Sequence, residues 1–386
     1  MTHIASITTG RADIGILAPV WQALRDEGAA LSLFASGMHM HEHAAPLPSL
    51  PEGTQVHRGG CDIGGHDAAA CAAAMAEITR DAAQFYQTVQ PDLVLVIGDR
   101  LDMFPAASAA VPFNLPLAHL HGGEVTLGAL DDRLRHAISK LAHVHCVASK
   151  SARDCLLAMG EHPDRITLTG APGLDTLRAA PEMDQKAFAQ RIGMTKIDGL
   201  RLVTVHPETN AADPLAPLQA VLDALADTPG PALFTAPNSD PGGEAIRAQI
   251  QVQCSQHEDW HFVETLGGLL FANALRHASM MIGNSSSGIL EAGLFGLPVI
   301  DVGDRQAGRE SAPSVQHVPA TREAVTAALH KIARTTRHFN SETPYGDGHS
   351  GPRVARALIQ ALTMPDLLEK PAPSVPPILT KKGSPA

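Results

Sequence analysis

Two short acidic turns hold the side chains best suited to chemistry. One is His119-Leu120-His121-Gly122-Gly123-Glu124, with Asp131, Asp132 and Arg135 soon after it. The other is Gly98-Asp99-Arg100. A glycine pair lets the backbone turn tightly and keeps side chains out of a substrate's path. Asp131 and Arg135 stand four apart and so share a helix face. Two such turns can offer one group to take a proton and another to return it. The plainer readings are a solvated Asp–Arg pair on a helix and, for Asp99, an N-cap of the helix that follows.

A third segment suits a phosphate. Gly283-Asn284-Ser285-Ser286-Ser287-Gly288 precedes a helix expected over Ile289–Phe295. Backbone N–H groups, hydroxyls and a helix N-terminus make a neutral anion cradle. Glu291, one turn on, suits a ribose diol, and serine capping is the plainer alternative. The lysine of a Walker loop is missing, which disfavours that kind of ATP hydrolysis. Thr8-Thr9-Gly10-Arg11 is a weaker anion loop without the GxGxxG pattern. His206 ends another apolar run and is a phosphate ligand, an acid or base, or a structural histidine. The cluster His39-Met40-His41-Glu42-His43 reads as a loop, and no metal is expected there.

These residues need elements to position them. Apolar runs at Ile4–Thr8, Leu31–Ala35, Leu93–Ile97, Leu115–Leu120 and Val144–Ala148 predict strands. Helical stretches, Ala68–Val89 and Leu101–Phe113 among them, lie between them, and Leu130–Ala142 follows the HGGE turn. A second series follows at Leu202–Val205, Ala232–Ala236, His261–Val263, Met280–Ile282 and Val299–Val302. Pro214–Asp227 between them has its leucines and valine at helical spacing. Strands alternating with helices predict α/β domains with doubly wound parallel sheets. The acidic turns and the serine cradle then fall at strand ends, where such sheets bind ligands. We expect an N-terminal domain over 1–177 and a C-terminal domain over 178–364, with the last helix packing back on the first. The proline-rich residues 365–386 are expected to form a disordered tail.

At 386 residues with 44% hydrophobic side chains, the chain can build two cores. Aromatics are only 4%, so those cores rest on Ala, Leu, Val and Ile. A formal net charge of −11 argues against nucleic acid or an anionic membrane as partner. The five cysteines show no CxxC spacing, so neither a disulfide framework nor a zinc site is suggested. No leader or membrane-length apolar run is visible, and the expected location is the cytoplasm.

The segments TTGRADIG, GDRLDM, HLHGGEVTLGALDDRLRHAISKLAH, VHPETN, APNSDPGG and GNSSSGILEAGLFGLPVIDVGDRQAGRE together resemble the hydrolysing UDP-N-acetylglucosamine 2-epimerases of bacterial sialic and legionaminic acid pathways. They run in family order over residues 4 to about 317. The resemblance implies a GT-B-like fold, two Rossmann-like domains with the active site in the cleft between them, and a homodimer or homotetramer. It implies that Arg11, Arg100, His206, Asn238, Ser285, Ser286 and Glu291 hold the nucleoside diphosphate. Asp99, Glu124, Asp131, Asp132 and Arg135 would line the sugar, with Asp99 and Glu124 the leading acid–base pair and His206 a further catalytic candidate. The first loop departs from the family's usual TGTRAD or TSSRAD, although its arginine and aspartate stay aligned.

The implied reaction needs no cofactor. A base takes the C2 proton as UDP leaves C1, water adds at C1, and a proton returns to the other face of C2. UDP-N-acetylglucosamine and its 2,4-diacetamido-2,4,6-trideoxy analogue both fit the resemblance, and a GDP sugar is a further option. The alternatives are a GT-B glycosyltransferase and a nucleotide-sugar sensor without catalysis.

Overall fold

The computed structural model describes residues 1–370 except 42–46, 48–49, 64–66, 126–129, 210, 212, 239 and 334–342. Two compact units result: residues 1–169 with 351–386, and residues 170–350. The division falls at 169/170, a few residues before the expected 177/178, and the chain returns to the first unit at 350/351 with its last helix.

The first unit carries β1 (His3–Thr8), α1 (Arg11–Asp26), β2 (Ala30–Ala35), β3 (Gln55–Arg58), α2 (Ala68–Val89), β4 (Leu93–Ile97) and α3 (Met103–Ala109). It continues with β5 (Leu117–Leu120), α4 (Leu130–Leu141), β6 (Val144–Val147), α5 (Lys150–Ala158) and β7 (Ile166–Leu168). The strands form one sheet in the order β3-β2-β1-β4-β5-β6-β7, all parallel. The order reverses direction between β1 and β4. That switch point opens a crevice at the carboxyl ends of the strands, and Gly98-Asp99 leaves β4 there.

The second unit begins with α6 (Gly173–Ala179) and α7 (Gln185–Arg191). Its sheet contains β8 (Arg201–Thr204), β9 (Ala232–Thr235), β10 (Trp260–Val263), β11 (Met280–Gly283), β12 (Val299–Val302) and β13 (Val315–Val318). Between them run α8 (Ala216–Ala226), α9 (Gly243–Gln256), α10 (Gly267–His277) and α11 (Ser286–Leu290), with α12 (Arg322–Ala333) following; α13 (Ser350–Ala361) returns to the first unit. The order is β10-β9-β8-β11-β12-β13, again parallel. Its switch point lies between β8 and β11, where His206 and the serine run emerge.

Aliphatic side chains fill both cores, as the low aromatic content required. Trp21 is a buried exception, and its indole N–H donates to Ser6 Oγ at 2.9 Å, so burial leaves no polar atom stranded. Val354, Ala355 and Leu358 of α13 belong to the first unit's core. A cavity of about 400 Å³ in the first unit lies against β7 and α13, lined by Arg165, Arg353 and Arg356 among others. It contains none of the site residues expected from the sequence.

Within 365–370 the chain is anchored by Leu367 and Lys370, in contrast to the expected tail, and 371–386 lie outside the described residues. Leu367 is buried in the first core. The Lys370 ammonium donates to the carbonyls of Ser139, Lys140 and Ala142 at 3.1, 2.8 and 2.5 Å. These carbonyls end α4 and have no helical partner of their own, so a cation there satisfies them and opposes the helix dipole. Lys370 also pairs with buried Glu161 at 2.8 Å, beside Lys140 at 2.5 Å and His145 at 3.1 Å. Burial alone would raise the Glu161 carboxyl, but the bonds from His145, Lys140 and Lys370 outweigh it and hold it at about 2.

Lys370→Met should therefore cost about 1 to 2 kcal/mol in urea unfolding, the upper range for a charge at a helix C-terminus. The Glu161 contribution is complete above the ordinary carboxylate value and lost as pH falls toward about 2. The variant should show a smaller loss over that acid range. Unchanged stability at neutral pH would mean that Lys370 merely lies on the surface.

Candidate active site

The first unit gathers both acidic turns at one sheet edge. Val96 of β4 is level with His119 of β5, and Ile97 with Leu120. Gly98-Asp99 and His121 therefore leave neighbouring strands at the same height. Asp99 is not a helix cap, because α3 starts later and its N-cap position is Asp102. The Asp99 carboxylate instead accepts a hydrogen bond from the buried Arg135 guanidinium of α4. Helical spacing pairs Arg135 with Asp131, but the side chain reaches across to the other acidic turn. Asp131 lies on the first turn of α4 with much of its side chain exposed. Partial desolvation of the carboxyl by its surroundings, and then the charge of Asp99, raise it above the ordinary value. Asp132 lies 3.5 Å from His136.

The HGGE turn is shaped by close contacts. A Cβ on Gly123 would stand 2.2 Å from the Ala152 carbonyl oxygen, and its φ of +78° suits only glycine. One on Gly122 would meet His119 Nδ1 at 2.8 Å and Ser139 Oγ at 2.9 Å. His119 is fully buried, with Nε2 2.7 Å from the Gly98 carbonyl and Nδ1 2.9 Å from Ser139 Oγ. A carbonyl only accepts, so Nε2 carries the hydrogen and Nδ1 accepts from the hydroxyl. Burial holds this ring neutral, with its pKa down at about 3. His119 thus fixes the Asp99 turn against α4 and is a positioning residue. His121 sits at a φ of +62°, and its Nδ1 lies 2.6 Å from Glu124 Oε1.

Arg100 forms a two-pronged bond to Asp102 at 3.0 and 2.9 Å. Arg11 opens α1 and is exposed. Asp13 closes this first loop by accepting from Thr9 N at 2.7 Å and Gly10 N at 3.0 Å. His39 is buried and hydrogen-bonded to Thr8 Oγ1 at 2.9 Å. Glu42 and His43 lie outside the described residues.

The second unit assembles its own group. Thr204 of β8 is level with Gly283 of β11. A Cβ on Gly283 would lie 1.9 Å from the Thr204 carbonyl oxygen, and φ there is +132°. Glycine thus lets the two strand ends touch. The Asn284 side chain then clamps His206, accepting from its N–H at 2.7 Å and donating to its carbonyl at 2.9 Å. The backbone N–H of Asn238 donates to His206 Nδ1 at 3.0 Å. Nδ1 is therefore the acceptor nitrogen and Nε2 holds the hydrogen. Burial, and then the nearby Arg305 charge, bring this histidine down to about 4. At neutral pH it is an uncharged N–H donor, which suits a phosphate oxygen better than proton abstraction.

Ser285 caps α11, its hydroxyl accepting from Ser287 N at 3.4 Å, while Ser286 stays partly exposed. The helix begins three residues before the expected Ile289 and ends at Leu290, with Glu291 as its C-cap and a 3-10 turn over Ala292–Phe295 beyond it. The Glu291 Oε2 atom is buried and has no hydrogen-bond partner among the described residues. Burial raises this carboxyl, and a bond from Ser287 only partly offsets it. The Asn238 Oδ1 atom is likewise buried without a partner.

Arg305 was missed as an individual residue, although it lies in a quoted motif. Glu208 holds its loop by accepting from Asp304 N at 2.9 Å and Arg305 N at 3.1 Å. The guanidinium lies 3.7 Å from Asp240 and beside the Asn284 carbonyl. An arginine in the Gly303-Asp304-Arg305 turn after an apolar strand was the available signal.

Both units thus place polar loops at the carboxyl edge of a doubly wound sheet, an architecture that is GT-B-like. A family model described as UDP-N-acetylglucosamine 2-epimerase matches residues 22–359. A Legionella pneumophila relative named UDP-N,N'-diacetylbacillosamine 2-epimerase (hydrolyzing) is 34% identical over 92% of this chain and 95% of its own length. A Neisseria meningitidis serogroup B relative named UDP-N-acetylglucosamine 2-epimerase is 28% identical over 92% of this chain and 94% of its own. The solved UDP-GlcNAc 2-epimerase of Methanocaldococcus jannaschii superposes with a TM-score of 0.73 at 16% identity, covering 93% of this chain and all of that one. The chain belongs to the UDP-N-acetylglucosamine 2-epimerase family and is an enzyme.

Proposed function

We propose that the enzyme hydrolyses UDP-N,N'-diacetylbacillosamine, a UDP-2,4-diacetamido-2,4,6-trideoxy sugar, to the free 2-epimer and UDP, for nonulosonic acid synthesis. The observation that carries this choice is the 34% identity, over 92% of the chain, to a relative named for that substrate. The relative named for UDP-N-acetylglucosamine reaches 28% over the same share.

The residues fit distinct tasks. The neutral His206, Ser286, the backbone at α11 and Arg305 offer donors to the diphosphate as negative charge grows on it. Glu291 accepts from the ribose hydroxyls, which gives its partnerless oxygen a use. Arg11 and Arg100 are assigned to the nucleoside diphosphate by the family resemblance. Asp99 and the Glu124 turn handle the protons at C2, with Arg135 holding Asp99 in place and Asp131 and Asp132 on the same edge of the sheet. Departure of UDP, loss of the C2 proton, addition of water at C1 and protonation of the opposite face of C2 complete the reaction.

The test offers UDP-N,N'-diacetylbacillosamine, UDP-N-acetylglucosamine and a GDP-linked analogue in parallel, in heavy water. We expect free 2-epimer with deuterium at C2, formed with UDP and fastest from the diacetamido sugar. An intact UDP-linked epimer would overturn the hydrolytic outcome. Sugar transfer with the C2 hydrogen retained would mark a glycosyltransferase instead.

A further inference from the structure

We propose that His121 is the base that takes the C2 proton, through Nε2, and that Glu124 orients it without itself reaching the substrate. This rests on the hydrolytic epimerase reading above. The Glu124 carboxylate accepts and the imidazole Nδ1–H donates across their 2.6 Å contact. That tautomer leaves the lone pair on Nε2. Nε2 is buried and has no partner among the described residues. An unpaired buried acceptor costs free energy and calls for an explanation. A carboxylate behind one ring nitrogen and a vacant lone pair on the other is the arrangement of a general base.

The backbone supports the same assignment. His121 is a non-glycine residue at a φ of +62°, in the left-handed region that is unfavourable for a residue with a Cβ. Such strain persists where the surroundings over-determine it, and it concentrates at functional sites. Here Gly122 packs against His119 and Ser139, and Gly123 against Ala152, so the turn holds the ring in place. The other histidines near the strand ends are occupied differently. His119 engages both ring nitrogens, and the Nδ1 of His206 is taken by Asn238. His145 also pairs with a carboxylate, but it lies inside β6 with no exposure. The His121 side chain is 16% exposed at the ligand-binding edge. Its Nε2 is out of solvent contact, so the substrate has to open that side of the ring.

In the proposed step the C2–H pair becomes the C1=C2 π bond while the C1–O pair leaves with UDP. The proton goes to Nε2 and then to solvent. Water next adds across the double bond, its oxygen to C1, with a proton delivered to C2 from the opposite face. Glu124 stabilises the transient imidazolium throughout.

The test uses His121→Gly and His121→Asn, since both residue types accept a left-handed backbone. Melting temperature and UDP affinity by calorimetry should match the wild type. UDP release and C2 deuterium uptake should fall together by at least about 10²-fold, the lower range for a lost general base. Added imidazole should restore part of the turnover of the glycine variant, which leaves room for it beside Glu124. A purely structural histidine would not be replaced by a free one. Retention of more than about a tenth of wild-type turnover, small against a general-base contribution, would overturn the assignment. So would a glycine variant that folds, binds UDP and stays inert in imidazole. Wild-type enzyme inert toward every UDP sugar would overturn the functional reading instead.

Discussion

Asp99→Asn is expected to lower turnover by about 10²- to 10⁴-fold, the usual contribution of a positioned proton-transfer group, with UDP affinity near wild type. Asp99 leaves β4 beside the switch point of the first sheet and faces the buried Arg135. Asparagine keeps the size and offers a carbonyl oxygen to the guanidinium, so the α4 contact survives in weakened form. What it loses is the capacity to hold a proton. A capping role would predict near silence, since asparagine caps helices about as well as aspartate, but α3 begins too late for Asp99 to cap it. The measurement is UDP release under saturating substrate, with the melting temperature recorded to show that Arg135 has not unseated α4. Turnover above about a tenth of wild type, far from the loss of a proton-transfer group, would remove Asp99 from the chemistry. The charge-coupled Asp131 would then be the next candidate.

The buried strands were legible because burial on both faces demands continuous apolar runs. β4 and β12 appear at Leu93–Ile97 and Val299–Val302, as their sequences predicted. The strands missed, β3, β7 and β13, all lie at sheet edges. Their side chains are partly exposed, as in Gln55-Val56-His57-Arg58, so no apolar run marks them. The positions of the acidic turns were legible for the same reason, since each follows a buried strand. The partners within them were not. Helical spacing joined Arg135 to Asp131, while the fold brings in Asp99 from a different strand. Two histidines one residue apart look alike, yet His119 is locked into the scaffold and His121 Nε2 has no partner among the described residues. Composition also hid Lys370: prolines around it suggested a tail, whereas its charge answers carbonyls at the end of α4.

Glu291→Gln should weaken UDP binding by about 1 to 3 kcal/mol, roughly 5- to 150-fold, the scale of hydrogen bonds to a charged group. The free protein should at the same time be at least as stable as the wild type. The two effects have one cause. Burial raises the Glu291 carboxyl, and its Oε2 finds no partner among the described residues. An acid whose folded pKa exceeds its unfolded value binds more protons when folded, so stability falls as pH rises through that interval. Glutamine has no charge to bury and removes this loss. Hydroxyl donors from a ribose favour the ionised form, so the bound carboxyl releases its proton more readily than the free one. UDP affinity should therefore decline as pH falls below the raised Glu291 value, and the glutamine variant should lose that component. Calorimetry of both proteins across the acid range, with the same UDP solutions, cancels the diphosphate's own titration. If the variant binds UDP as well as the wild type, the ribose is held elsewhere. If it binds weakly but is also less stable, Glu291 is a structural acceptor and not a ligand-binding one.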